Sequence, residues 1–124
     1  MDIHAFWNAV LRQDPDAIRS WFWPEARVRW HNTDEEFTLE NFIRANCEYP
    51  GQWAGEVERV EEIGDLLVTV THVYAADRSL SFHVASFFRL KEGRILSVDE
   101  YWGDDSPAPQ WRQKRKLGSP IQKN

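Results

Sequence analysis

The sequence predicts an α+β domain in which three N-terminal helical segments pack on a strongly curved, mixed or antiparallel β-sheet. Three observations carry this reading. Apolar residues in the first fifty positions recur at spacings of three and four, behind side-chain caps. From Trp53 onward they alternate with period two, in four long runs joined by short turns. Seven tryptophans are more than packing alone uses, and point to a walled cavity or a large interface.

Asp2 to Gln13 reads as a helix whose stripe is Ile3, Phe6, Trp7, Val10 and Leu11. Asp14 caps a second, short helix with Pro15 at its first position; Ile18, Trp21 and Phe22 form its stripe, and Pro24 ends it by disfavouring helical geometry at Trp23. Phe6, Trp7, Trp21 and Phe22 are either a ligand wall or plain core. Ala26 to Asn32 alternates as a half-buried strand, and Asn32 to Glu36 forms a turn rich in side-chain acceptors. Thr38 caps a third helix bearing Leu39, Phe42, Ile43, Asn46 and Cys47, which Tyr49-Pro50-Gly51 stops. Asn46 interrupts that apolar stripe, so it either bonds backbone or points into a wet cavity.

Trp53 to Ile63, Leu66 to Ala75, Leu80 to Leu90 and Ile95 to Trp102 then form an antiparallel meander. If Glu92-Gly93 is a two-residue turn, Lys91 faces Arg94, Phe87 faces Val98, Ala85 faces Glu100 and His83 faces Trp102. A symmetric turn over Ala76 to Ser79 sets His83 opposite His72 and Ser81 opposite Tyr74. Glu100 then meets His72, His83 and Tyr74 on the pocket face. Phe82, Val84, Phe88, Ile95 and Tyr101 form an outer apolar patch large enough to predict a homodimer. A one-residue slip or bulge would exchange His83 and Ala85 for Phe82, Val84 and Ser86.

The net charge of −5 is unevenly spread. From Gln110 onward five Lys or Arg stand with no acid, leaving ten basic against twenty acidic side chains in the other 109 residues. An acidic body repels nucleic acid, and the basic tail is expected to dock on it through Trp111 and Leu117. The expected division is a domain of residues 1–104 and an extension of residues 105–124. One cysteine, Cys47, excludes an internal disulfide and suits a reducing, cytoplasmic setting; no apolar run approaches membrane-spanning length. There is no nucleophile elbow and no phosphate-cradling glycine loop. His31, His72, His83 and Glu100 are adequate ligand types, but no HxH or HxxxH spacing joins them, so no metal and no cofactor is expected.

The helix, the short helix ending WPEA, the strand, the third helix and hairpins closing on GRILSVDEYWGDD resemble the nuclear transport factor 2-like superfamily over about residues 1 to 112. RWHNTDEEFT and APQWR look like one SnoaL-like subgroup of it. The resemblance implies a cone whose sheet and helices enclose a mostly apolar pocket, with homodimerisation through the convex sheet. The tyrosine of ketosteroid isomerases falls at Phe6, their general-base aspartate at Trp30, and their second acid at Ala85 or Ser86. None is kept, so isomerisation by that mechanism is not expected. The last-strand acid of SnoaL-type cyclases falls at Glu100.

The resulting expectation is a small-molecule-binding protein. It would perform proton transfer, dehydration or hydration on a hydrophobic, carbonyl-bearing substrate, with Glu100 as acid/base assisted by His83 and His72. Trp30, Asn46, Trp53, Tyr74, Ala85, Val98 and Trp102 would line the pocket. The competing expectation is a non-catalytic ligand-binding or dimerisation module of the same fold.

Overall fold

A computed structural model describes residues 1–122. Six strands, β1 (Phe22–Trp30), β2 (Glu35–Thr38), β3 (Trp53–Ile63), β4 (Leu66–Ala75), β5 (Ser81–Lys91) and β6 (Arg94–Asp104), form one mixed sheet. Their order is β2-β1-β6-β5-β4-β3. Strand β1 runs parallel to β6, and every other neighbour is antiparallel. Helices α1 (Ile3–Leu11), α2 (Pro15–Arg19) and α3 (Leu39–Cys47) cover the inner face, and α4 (Gln110–Arg115) lies in the tail.

Local chemistry explains the helix starts. Asp2, Asp14 and Thr38 accept hydrogen bonds from Ala5 N, Ala17 N and Asn41 N at 3.0, 3.1 and 3.2 Å, the last two being the caps the sequence predicts. Helix α2 is shorter than expected. Trp21 and Phe22 leave it, and Pro24 lies within β1 instead of terminating a helix. Pairing of β1 with β6 is irregular between Phe22 and Arg27, so the missing N–H of Pro24 falls where the ladder makes no regular demand on it. Asp34 takes a left-handed φ of 55° and folds the acidic segment back as β2, a short edge strand where the sequence suggested only a turn.

The β5–β6 hairpin starts as predicted. Lys91 faces Arg94, and Glu92 and Gly93 take positive φ of 51° and 76°, the pair that a two-residue hairpin turn of right-handed twist requires. Leu90 then pairs with Ile95 but Arg89 with Ser97, which leaves Leu96 as an extra residue. This bulge shifts every later pair by one. Ser86 faces Glu100, Val84 faces Trp102 and Ala85 faces Tyr101, in place of the expected Ala85–Glu100, His83–Trp102 and Phe87–Val98 pairs. Burial selects this register, because Val84, Phe88 and Ile95 are wholly enclosed under the helices. Phe88 meets Phe6 edge-to-face at 5.4 Å, and each such side chain removed from water stabilises the fold by about 1.5–3 kcal/mol.

Two further expectations change with it. The predicted outer patch is mostly core: Val84, Phe88 and Ile95 are buried, Phe82 faces inward, and Tyr101 alone remains outside, beside Phe87. The tail does not dock on the body either. Residues 106–122 are exposed, with Trp111 and Leu117 at 56% and 61%, and none of them joins an ion pair among the described residues. Lys123, one of its five cations, lies outside the described residues. Asp105 still belongs to the sheet, its N–H bonding Ser81 O at 3.0 Å.

Candidate functional site

At the open end of the cone lies a cavity of about 310 Å³. Helix α1 supplies Trp7, Val10 and Leu11; the end of α3 supplies Asn46; and the strands supply Trp30, Trp53, Val73, Phe82 and Trp102. The walls are interlocking aromatics. Trp30 meets Trp102 at 6.4 Å, Trp102 meets Phe82 at 6.2 Å, and Phe82 meets Trp53 at 6.1 Å. Such edge and tilted contacts fix ring orientation as well as adding area.

Polar groups gather where α1 and α3 end. Asn46 Nδ2 donates to Val10 O at 3.0 Å, and Gln13 Nε2 donates to Asn46 O and Tyr49 O, both at 2.8 Å. Both alternatives for Asn46 are therefore realised: it satisfies backbone and it lines the cavity. Asn32 Oδ1 accepts the Trp102 N–H at 3.1 Å, and Asp104 stands exposed on the lining.

Glu100 is 4% exposed. It lies on the inner face, and the cavity lining is formed by its neighbours Trp30 and Trp102. Its Oε1 accepts the Trp30 indole N–H at 3.0 Å, and its Oε2 accepts the Ser86 hydroxyl at 2.6 Å. Burial pushes its carboxyl above the usual range, and the donors Ser86, Trp30 and Trp102 offset only part of that. Trp102 Nε1 makes no hydrogen bond of normal geometry, yet its N–H dipole lies near enough to favour the carboxylate. The contact of Glu100 with the Trp30 nitrogen fixes how that indole faces the cavity.

Trp30, Asn46, Trp53 and Trp102 line this cavity. Val98 sits beneath it as core. His72, His83, Tyr74 and Ala85 do not join Glu100. The bulge at Leu96 and the alternation of β4 put them on the outer face, so neither histidine can assist Glu100 through the sheet. The His72–His83 pairing itself is as predicted, with rings stacked at 4.6 Å. Sequence reasoning missed Gln13, Asn32, Tyr49, Phe82 and Asp104 as lining residues and Ser86 as a partner of Glu100. The first three flank helix ends and turns, where spacing gives no direction; the other three depend on the bulge.

Residues 3–98 match the SnoaL-like domain. The fold is similar to that of an NTF-2 like protein of unknown function from Burkholderia xenovorans LB400, with TM-score 0.78 and 21% identity over 97% of this chain and 92% of that one. It is also similar to an LEH-like epoxide hydrolase of M. tuberculosis, with TM-score 0.66 and 16% identity over 82% and 79% of the two chains. A third similar structure is a hypothetical protein with a ketosteroid isomerase-like fold from Catenulispora acidiphila DSM 44928, in complex with trimethylamine, with TM-score 0.64 and 13% identity over 80% and 82%. At these identities the likeness establishes the fold. No curated protein sequence matches the chain closely enough to add to this.

Proposed function

Because the chain belongs to the SnoaL-like domain family, we propose that it binds a small, largely apolar molecule in the aromatic cavity at the open end of the cone. The observation that carries this reading is a cavity of about 310 Å³ walled by four tryptophans, with a few amide groups at one end. That is the usual composition of a small-molecule site: apolar area for affinity, sparse polar groups for orientation. Asn32 Nδ2 and the second hydrogen of Asn46 Nδ2 suit a ligand carbonyl, and Gln13 Oε1 suits a ligand hydroxyl.

Binding is favoured over catalysis by the surroundings of Glu100. Both its oxygens are engaged, no histidine reaches it, and two indoles stand between it and the ligand space. One observation keeps an acid/base role as the second reading: burial pushes the carboxyl of Glu100 above its usual range, which suits proton exchange with a carbonyl-bearing ligand once Trp102 turns aside. A second copy of the chain packed on the outer face around Phe87 and Tyr101, with a cytoplasmic setting suited to the free thiol of Cys47, completes this reading. The acidic body argues against a nucleic-acid partner, and no helix among the described residues is long and apolar enough to cross a membrane.

Native mass spectrometry of the purified protein, followed by tryptophan-fluorescence titration with apolar carbonyl compounds, tests the proposal. A retained or titratable ligand is expected, with affinity falling at least about tenfold in Trp102→Ala, since truncating a hot-spot aromatic costs about 2 kcal/mol or more. A protein that retains nothing and responds to no compound overturns it. Ligand turnover lost in Glu100→Gln with binding kept would establish the second reading instead.

A further inference from the structure

On the outer face, away from the cavity, β3, β4, β5 and the residue after β6 bring two imidazoles and three carboxylates together. His83 Nδ1 lies 2.6 Å from Asp105 Oδ1, and its Nε2 lies 3.1 Å from Glu58 Oε1. His72 Nε2 lies 2.8 Å from Ser81 Oγ, and its Nδ1 lies 3.4 Å from Glu56 Oε2. The Ser81 hydroxyl donates to Asp105 Oδ2 at 2.6 Å.

These contacts fix the tautomers. Asp105 accepts the Nδ1–H of His83. Ser81 spends its proton on Asp105, so it accepts the Nε2–H of His72. The remaining nitrogen of each neutral ring is then a lone pair facing a carboxylate oxygen: His83 Nε2 towards Glu58, and His72 Nδ1 towards Glu56. Two acceptors face each other in both pairs, which is unfavourable without a cation between them. Protonating both rings would stack two imidazolium cations at 4.6 Å. A single divalent ion meets the same demand with neutral rings.

We propose that His72, His83 and Glu58 form a divalent transition-metal site, of the kind that takes Zn²⁺, on the outer face of the sheet. Asp105 is its orienting carboxylate and Glu56 an available fourth ligand. One ligand atom from each of Glu58, His72 and His83 lies within 4.8 Å of the others. Ligands around tetrahedral zinc stand about 3.4 Å apart, so the site closes by movements of about an ångström. The half-exposed Glu58 can supply them, because it is the extra residue between Val57 and Arg59 where pairing with β4 shifts. Gly55 holds the two strands close at this point, since a Cβ there would lie 2.3 Å from His72 O. A carboxylate on the far nitrogen of a ligating histidine is the usual second layer of such sites. Tyr74, which donates to Glu56 at 3.3 Å, and Arg78 over its ring complete the surroundings.

The test is calorimetric titration of the chelator-treated full chain with ZnCl₂ alone. One ion per chain is expected, with affinity reduced at least about tenfold in His83→Gln and in His72→Gln. It should be unchanged in His31→Gln, which alters the histidine paired with Asp99 elsewhere on the sheet. The wild-type protein gives an independent readout should a variant fold poorly. Absence of saturable binding, or binding indifferent to both histidine variants, would overturn the proposal.

Discussion

The two faces of the β4–β5–β6 sheet hold the same chemical groups in opposite conditions. Inside, Glu100 is alone among indoles and a hydroxyl, and burial pushes it towards the neutral acid. Outside, His72 and His83 stand among Glu56, Glu58 and Asp105 where water reaches them. There the Ser81 and His83 hydrogen bonds hold Asp105 below the usual carboxylate range although its burial opposes them. One residue separates the arrangements. Without the bulge at Leu96, His83 and Glu100 would share a face and form an ordinary acid–imidazole pair; with it, each face keeps one kind of site.

Phe88→Ala should break the comparison most severely. Phe88 is wholly enclosed and meets Phe6 edge-to-face, and its burial is what holds β5 in the bulged register. Its loss predicts a destabilisation of about 3–5 kcal/mol, read as a collapse of the urea midpoint. Deleting Leu96 should cost far less, because it removes the extra residue and leaves the Leu90–Ile95, Arg89–Ser97 and Ser86–Glu100 pairs in place. A Phe88→Ala variant with near-native stability would show that burial does not set this register.

Replacing Glu100 by Gln should sharpen the contrast with a smaller effect of opposite sign. The folded-state pKa of Glu100 is raised above its unfolded value, so the folded protein binds more protons there. Its contribution to stability is fully present below the unfolded pKa of about 4.3 and is lost as pH rises towards the folded one. Gln keeps an acceptor for Trp30 and a donor for Ser86 without that loss. The variant should therefore gain stability relative to the wild type at pH 7, with the gain shrinking below about pH 4. Parallel stability–pH curves for the two proteins would contradict a raised pKa.

The smallest effect belongs to His83→Gln in the metal-free protein. The pKa of His83 is raised, chiefly by Asp105, so its pairing stabilises the fold below its unfolded pKa of about 6.5 and fades as pH climbs through the folded value. With the side chain 37% exposed, solvent screening keeps the effect below about 1 kcal/mol. Melting curves across that window should show a slight flattening in the variant, and a large stability loss would mean that the outer cluster is structural.

By itself the sequence determined several features decided by neighbours a few residues apart. Capping at Asp14 and Thr38, the two-residue turn at Glu92-Gly93 and the facing of His72 and His83 are local hydrogen-bonding and turn problems with few solutions. The inward aim of Glu100 was also legible, although its neighbours were not. Tertiary structure decided the rest. The β1–β6 pairing joins residues some seventy positions apart, and no spacing rule records it. The bulge at Leu96 lowers the free energy only because Phe6, Phe22 and Trp7 wait on the other side for Val84 and Phe88. Glu58 and Asp105 reach the histidines only once four strands have closed side by side. A period-two pattern states that alternate residues share a face. Which face is inside depends on the apolar volume that other elements bring to it, and that quantity is a property of the assembled chain.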